Sequence, residues 1–428
     1  YYNLICMTII IFIFVIISMI FLILFKPKIT INNFTFQTFY LPCVIGAILL
    51  IIFNKININY YVNLFDFSLS VNPIKILILF ISLSFISINL DQGGFFEYCA
   101  NKVLKKSSNP LIFFLLLYLI VSTLTIFTSN DIVILTFTPF ICYYCKGQKL
   151  NPLPYLITEF VAANTWSMML EISNPTNIYL CLSKGINFNH YINVMILPTL
   201  TVGISSLIII LLIFHKSIFK KNHQESNIIS FKKDNYIIIT SLLHLIICLI
   251  GLIIFNDYMY LVCLVSMISL VLFTLIYDLK THNNYLKKTF FKLPFAMIPF
   301  ILSMYFIVAS LNSNSLSSLL INLSNNNITT SLVYGYASLF TSNLINNIPM
   351  CILFSNILNN NEIAIFSSIM GSNIGALLTP IGALAGIMWM SLLKEKRIEM
   401  NFFKFIKYCA PICLISSFLG FIVLAFYF

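Results

Sequence analysis

The sequence predicts an all-α polytopic membrane protein built from two inverted five-helix repeats, each carrying a re-entrant hairpin and a broken helix. Three observations predict it. Of the 428 residues 60% are hydrophobic and 9% charged, with a mean hydropathy of +0.97, which leaves a water-soluble chain of this size too little polar surface. Lys and Arg collect in a few loops instead of spreading along the chain. The apolar runs are interrupted at four polar or Gly/Pro-bearing points, and these fall at matching places in the two halves.

Apolar runs such as Leu4–Phe25, Tyr191–Phe214, Tyr236–Phe255, Tyr258–Tyr277 and Lys407–Phe428 approach or exceed the ~20 residues that cross a bilayer core of ~30 Å. The first run has no basic n-region and no small-residue cleavage site, so it reads as a retained helix and not a signal peptide. The chain opens without Met, as a truncated sequence would. The loops 26–38, 91–109, 146–151, 215–235, 278–292 and 394–407 hold 21 of the 24 Lys and Arg, leaving Lys55, Lys75 and Lys184 elsewhere. The positive-inside rule puts all six loops in the cytoplasm, and the net charge of +11 is then a membrane-orientation signal, not a nucleic-acid footprint.

That orientation constrains the two awkward segments. Between the loops at 91–109 and 146–151 the chain crosses an even number of times, with an interruption at Ser129-Asn130-Asp131. Between the uncharged, Asn/Ser-rich loop 312–328, placed outside, and the basic loop at 394 it crosses an odd number of times. One broken crossing at 363–393 satisfies this if 329–358 is a re-entrant hairpin, whose arms 329–341 and 349–358 would be ~20 and ~15 Å long as helices, too short to span. By symmetry 110–145 is read as a hairpin too, although its longer arms also permit two full crossings. The first repeat is then 1–214, with helices 4–25, 39–53, 74–90 and 191–214, hairpin 110–145 and broken helix 152–183. A cytoplasmic linker, 215–235, leads to the second repeat at 236–428, with helices 236–255, 258–277, 290–311 and 408–428, hairpin 329–358 and broken helix 363–393. Five crossings per half invert the second half relative to the first.

The breaks carry the chemistry. Thr128-Ser129-Asn130-Asp131 at the first hairpin tip echoes Thr341-Ser342-Asn343-Leu344 at the second, and Ser173-Asn174-Pro175-Thr176-Asn177 in one broken helix echoes Ser372-Asn373-Ile374-Gly375 in the other. Non-helical backbone at membrane depth is tolerated only where protein or a watery cavity satisfies it. Interrupted helices at paired positions point to a substrate site in a secondary transporter, because half-helix N-termini offer N–H donors and partial positive charge. The bland alternative is that Gly, Pro, Ser and Asn merely pack helices together. It explains one break more easily than four paired ones.

At these residues the chain resembles a known family. GSNIGALLTPIGALAGIMW (371–389) is similar to the second broken-helix motif of arsenical-pump membrane proteins, within the ion transporter superfamily, and TSNDIVILTFTP (128–139) to their first hairpin tip. AANTWSMMLEISNPTNIYL (162–180) is closer to the citrate-type and SLC13-like transporters of that superfamily, and Asn164 stands where arsenical pumps usually carry Asp. The resemblance implies ten helices plus two hairpins, alternating access, and gradient-driven transport of a small anion or metalloid. It also implies a multi-pass protein of the cell membrane, with a soluble ATPase partner in some members.

The substrate-binding candidates are Ser129, Asn130, Ser173, Asn174, Thr176, Asn177, Ser342, Asn343, Ser372, Asn373, Gly375 and Thr379. Asp131 and Glu171 are the coupling candidates, since acids inside membrane segments are costly enough to be functional by default. Asn164 and Glu171, seven apart, would share a helix face to within about 20°. Glu159, nearer the cytoplasmic end, is expected to be solvated or snorkelling, and His244 to be a hydrogen-bonded packing residue. No Lys or Arg lies near the breaks, which favours a neutral metalloid hydroxide exchanged for protons, or an anion accompanied by cations. The function expected is arsenite/antimonite-type efflux, with a citrate/dicarboxylate transporter or sodium/proton antiporter as alternatives. No enzyme motif or metal-ligand cluster appears, so no cofactor is expected beyond a bound sodium or a transferred proton. A homodimer is left open. The eleven Cys lack disulfide or zinc spacing, and Cys142-Tyr-Tyr-Cys145 reads as helix filler.

Overall fold

The computed structural model describes residues 2–26, 28–31, 34–53, 72–95, 98, 110–148, 150–218, 233–255, 258–310, 320–321 and 323–428. Most of the expected linker 215–235 and of the outer loop 312–328 lies outside these residues, as do Lys55, Lys102, Lys105, Lys106, Lys149, Lys220, Lys221 and Lys232.

Seventeen α-helices make up the described fold. The first part holds α1 (Tyr2–Phe25), α2 (Leu41–Ile52), α3 (Pro73–Gln92), α4 (Pro110–Phe127), α5 (Asn130–Gly147), α6 (Leu153–Trp166), α7 (Pro175–Lys184) and α8 (Phe188–Ile218). The second holds α9 (Asn235–Ile254), α10 (Met259–Thr281), α11 (Tyr285–Lys292), α12 (Met297–Ala309), α13 (Asn327–Ile345), α14 (Asn347–Ile357), α15 (Glu362–Ile374), α16 (Leu384–Glu395) and α17 (Phe402–Tyr427). Asn and Asp start many of them, because their side-chain oxygens accept the orphan N–H groups of the first turn. Asn72, Asp234, Asn326, Asn361 and Asn401 cap α3, α9, α13, α15 and α17 in this way.

Two departures from expectation are local. The basic loop 26–38 contains a small antiparallel hairpin, β1 (Lys28–Ile31) against β2 (Phe34–Gln37), with Lys28 opposite Gln37 and Ile31 opposite Phe34. The helix expected over 290–311 is split at Leu293–Ala296, where Pro294 has no N–H to continue α11.

Long stripes of exposed apolar side chains mark the lipid-facing surface, among them Leu197, Ile204, Ile208 and Leu212 on α8 and Ile239, Leu243, Ile246 and Ile250 on α9. Seven described helical stretches are long and apolar enough to cross a bilayer, with shorter apolar helices packed among them. The packing pairs helices far apart in the chain. α4 lies on α6 and α13 on α15, while α5 lies on α16 and α14 on α7, and the long helices α8 and α17 pack together. Glycine permits the tightest of these contacts: a Cβ on Gly371 would sit 2.0 Å from Ser338 Oγ and 2.2 Å from the Gly335 carbonyl. Small residues let α13 and α15 meet backbone to backbone.

Candidate functional site

The two broken helices interrupt differently. α6 ends at Trp166, and the chain runs through a 3-10 turn at Glu171–Ser173 before Asn174 caps α7, with Pro175 at the first helical position where its missing N–H costs nothing. α15 continues through Ser372 and Asn373 to Ile374, then a 3-10 turn at Gly375–Leu377 leads to irregular chain before α16. The second break therefore begins at Gly375 rather than at Ser372. Ser372 and Asn373 lie within the helix and turn their side chains back to the Ile369 carbonyl, at 2.7 and 2.8 Å.

Asn373 is where the two breaks join. Its Oδ1 accepts from Asn174 Nδ2 at 2.8 Å and Ser167 Oγ at 2.9 Å, and its Nδ2 donates to Asn177 Oδ1 at 2.6 Å. Ser372 Oγ donates to Thr176 Oγ1 at 3.2 Å. All six side chains are buried. Of the expected site residues, Asn174, Thr176, Asn177, Ser372 and Asn373 thus form one cluster. Ser173 is turned away, its hydroxyl donating to the Ile126 carbonyl at the end of α4 at 2.6 Å.

The hairpin tips attach to either side of this cluster. Asn130, at the start of α5, donates to Asn164 Oδ1 at 3.2 Å, and the Asn164 carbonyl accepts from Ser167 Oγ at 3.0 Å, the hydroxyl that also reaches Asn373. On the other side Asn343 Nδ2 donates to the Gly375 carbonyl at 2.8 Å, and its Oδ1 accepts from Thr379 Oγ1 at 2.6 Å. Ser342 Oγ donates to its own helix at Leu339 O, beside Gly375. Asn130, Asn174 and Asn373 are therefore linked through Asn164 and Ser167, whereas Asn343 bonds the second break at Gly375, two residues along the chain from Asn373. The second tip itself lies beyond Thr341–Leu344. α13 runs 19 residues, about 28 Å, so it is longer than expected, and the chain turns at Asn346. Asn346 has φ 75° and ψ 156°, a conformation nearly restricted to glycine, and its Nδ2 donates to the Ile381 carbonyl at 3.1 Å.

A cavity of about 870 Å³ opens beside the first tip. Its polar wall is Ser129, Asp131, Thr136, Ser84, Gln37, Tyr40, Asp91 and Lys292. Asp91, at the end of α3, accepts from Thr136 Oγ1 at 2.9 Å and pairs with Lys292 Nζ at 3.1 Å. Lys292 corrects the expectation that no cation lies near the breaks, since it shares this wall with Ser129 and Asp131. Sequence reasoning also missed Asp91, which sits in a stretch expected to be loop. The signal available was an acid one turn from a Gly-Gly pair at a helix end.

The three intramembrane acids have different surroundings. Asp131 faces the cavity. Glu171 is buried in packed interior off that wall, and neither of its carboxyl oxygens has a hydrogen-bond partner among the described residues. It does not share a helix face with Asn164, because α6 ends between them. Glu159 corrects the expectation of a solvated role: it is fully buried and accepts the Thr138 hydroxyl on both oxygens, at 2.9 and 3.0 Å. His244 bonds the Thr240 carbonyl at 2.8 Å and Ser269 Oγ at 3.0 Å.

A family model described as CitMHS, citrate transporter, matches residues 8–362. The chain belongs to the CitMHS citrate transporter family. Among curated relatives, the arsenical pump membrane protein of Escherichia coli (strain K12) is 25% identical over 342 residues, covering 75% of this chain and 79% of that protein. A putative arsenical pump membrane protein of Bacillus subtilis (strain 168) is 24% identical over 404 residues, covering 86% and 89%. Among solved structures, the YdaH transporter of Alcanivorax borkumensis aligns with a TM-score of 0.55 at 11% identity over 99% of this chain and 98% of that one, a likeness of fold. The chain is an integral membrane transporter of the CitMHS family.

Proposed function

We propose that this CitMHS-family member is a secondary active transporter that expels a small, oxygen-rich metalloid of the arsenite/antimonite type, coupled to an ion gradient. The observation that carries this reading is the charge balance of the cavity. Two carboxylates, Asp91 and Asp131, face one ammonium, Lys292, which is already paired. A trianion entering that wall meets net negative charge at low dielectric, whereas a neutral metalloid hydroxide meets only hydrogen-bonding partners. The names of the arsenical-pump relatives support the same solute.

Coupling is assigned to Asp131 and Glu171. Asp131 stands on the solute path, and Glu171 has carboxyl oxygens without partners, where a proton or a sodium ion would satisfy them. The halves 1–214 and 236–428 are read as inverted repeats rocking about the Asn373 cluster. The reciprocal packing of each hairpin on the other half's broken helix supports this. A soluble ATPase is a partner carried by the arsenical reading alone.

The description of the family model favours a second reading, transport of citrate or a dicarboxylate with charge-compensating cations. Counterflow in proteoliposomes separates the two, with arsenite, antimonite, citrate, succinate and sodium tested in parallel. Exchange of arsenite or antimonite without citrate supports the proposal, and exchange of citrate alone replaces it with the second reading.

A further inference from the structure

Away from the cavity, Cys248 on α9 and Cys263 on α10 bring their sulfurs to 3.5 Å, and both side chains are fully buried. Neither residue lies on the wall of the large cavity. The two helices approach closely because Gly251 has no side chain, and a Cβ there would sit 2.6 Å from Val262 Cγ1. Ser266, one turn beyond Cys263, is buried beside the pair and within reach of the Cys248 thiol. The outer faces of the same helices carry Ile247, Ile250, Val265 and Ile268, all exposed where lipid would lie.

The geometry points to a dithiol site for a trivalent, thiophilic metalloid. Taking bonds of about 2.3 Å from sulfur to the bound atom, sulfurs 3.5 Å apart subtend an angle of about 100° at that atom. A pyramidal trivalent centre has such an angle and keeps its third position for an oxygen or an aryl group. A linear two-coordinate ion would need the sulfurs about 4.6 Å apart, and a disulfide needs them at about 2.05 Å, so the 3.5 Å separation matches neither. The binding step is a ligand exchange without electron transfer. Two S–H and two As–O bonds break, two S–As bonds form, and the two thiol protons leave with the two hydroxyls as two waters. The lipid-facing flanks favour an uncharged, lipid-soluble form of the metalloid. Because α9 and α10 both pack on α3, which carries Ser84 and Asp91 of the cavity wall, a bridged pair stiffens the support of that wall. The site does not depend on which solute is transported.

The test uses reduced, purified protein in lipid nanodiscs with phenylarsine oxide as the probe, followed by a wash with excess monothiol, which strips singly bonded arsenic but leaves dithiolates. Intact mass should show one retained arsenical per chain in the parent and its loss in both Cys248→Ser and Cys263→Ser. In the unsubstituted protein, the probe should protect Cys248 and Cys263 from alkylation after unfolding, as read by peptide mapping. An arsenical that survives the wash in both Ser variants overturns the assignment. So does protection that falls on Cys142 and Cys145 or on Cys409 and Cys413 instead, and so does a parent that retains no arsenical.

Discussion

Replacing Asn373 by Ala removes the side chain that joins the two broken helices. Three cross-break hydrogen bonds are lost, from Asn174, from Ser167 and to Asn177, together with the local bond to Ile369 O. The partners do not suffer equally. Ser167 keeps the Asn164 carbonyl, and Asn177 Nδ2 keeps the Ser167 and Leu170 carbonyls. Asn174 Nδ2 and Asn177 Oδ1 are left buried without these partners. At about 0.6 kcal/mol per bond within a membrane protein, three bonds give roughly 2 kcal/mol. At ~1–3 kcal/mol per orphaned buried group, two orphans give ~2–6 kcal/mol, so the expected cost is about 2–4 kcal/mol. Ser372→Ala is the internal control: across the breaks it loses only the 3.2 Å bond to Thr176, together with the local bond to Ile369 O, and at about 0.6 kcal/mol per bond it should cost about 1 kcal/mol. Thermal unfolding in detergent, paired with counterflow on whatever folds, measures both. If Asn373→Ala unfolds at the same temperature as Ser372→Ala, the joint between the breaks does not hold the fold as described.

Three further outcomes follow from the geometry. Lys292→Ala frees Asp91 of its ammonium and should weaken solute exchange several-fold, while the double change with Asp91→Asn should recover part of it. Equal effects of the single and double variants in counterflow would show that the pair is not coupled. Asn346→Gly relieves a positive φ but loses the bond to Ile381 O and should be near neutral, whereas Asn346→Val should lower stability by ~1–3 kcal/mol, read by thermal melting. Glu159→Gln keeps a partner for the Thr138 hydroxyl and should leave melting within ~1 kcal/mol, whereas Glu159→Leu leaves that buried hydroxyl without its acceptor and should melt earlier.

The sequence announced membrane class, the first hairpin tip and the first broken helix, because Asn-Pro at 174–175 and Ser-Asn at 129–130 signal helix starts by local chemistry that tertiary packing did not override. The second hairpin's tip, expected at Thr341–Leu344, falls at Asn346 instead, for an equally local reason. Ser342 and Asn343 bond back to Leu339 O and extend the helix they were expected to end, and the turn falls at Asn346, where polar side chains alone gave no distinguishing sign. Buried Glu159 finds its hydrogen-bond donor in Thr138, 21 residues away, and the Asp91–Lys292 pair spans 201 residues, so neither was visible to a reading built on windows of a helix or a loop. The glycines at 371 and 375 looked like breaks, yet both lie against α13, and only the second opens the helix.

If ion binding at Asp131, on the wall of the cavity beside the first hairpin tip, and at Glu171 drives the proposed solute movement, accumulation by proteoliposomes under an imposed pH or sodium gradient must report it. The parent should concentrate arsenite or antimonite above equilibrium, and Asp131→Asn should still exchange the solute but no longer concentrate it. A variant that concentrates the solute to the parent's level, with the parent's dependence on pH and sodium, would contradict the account.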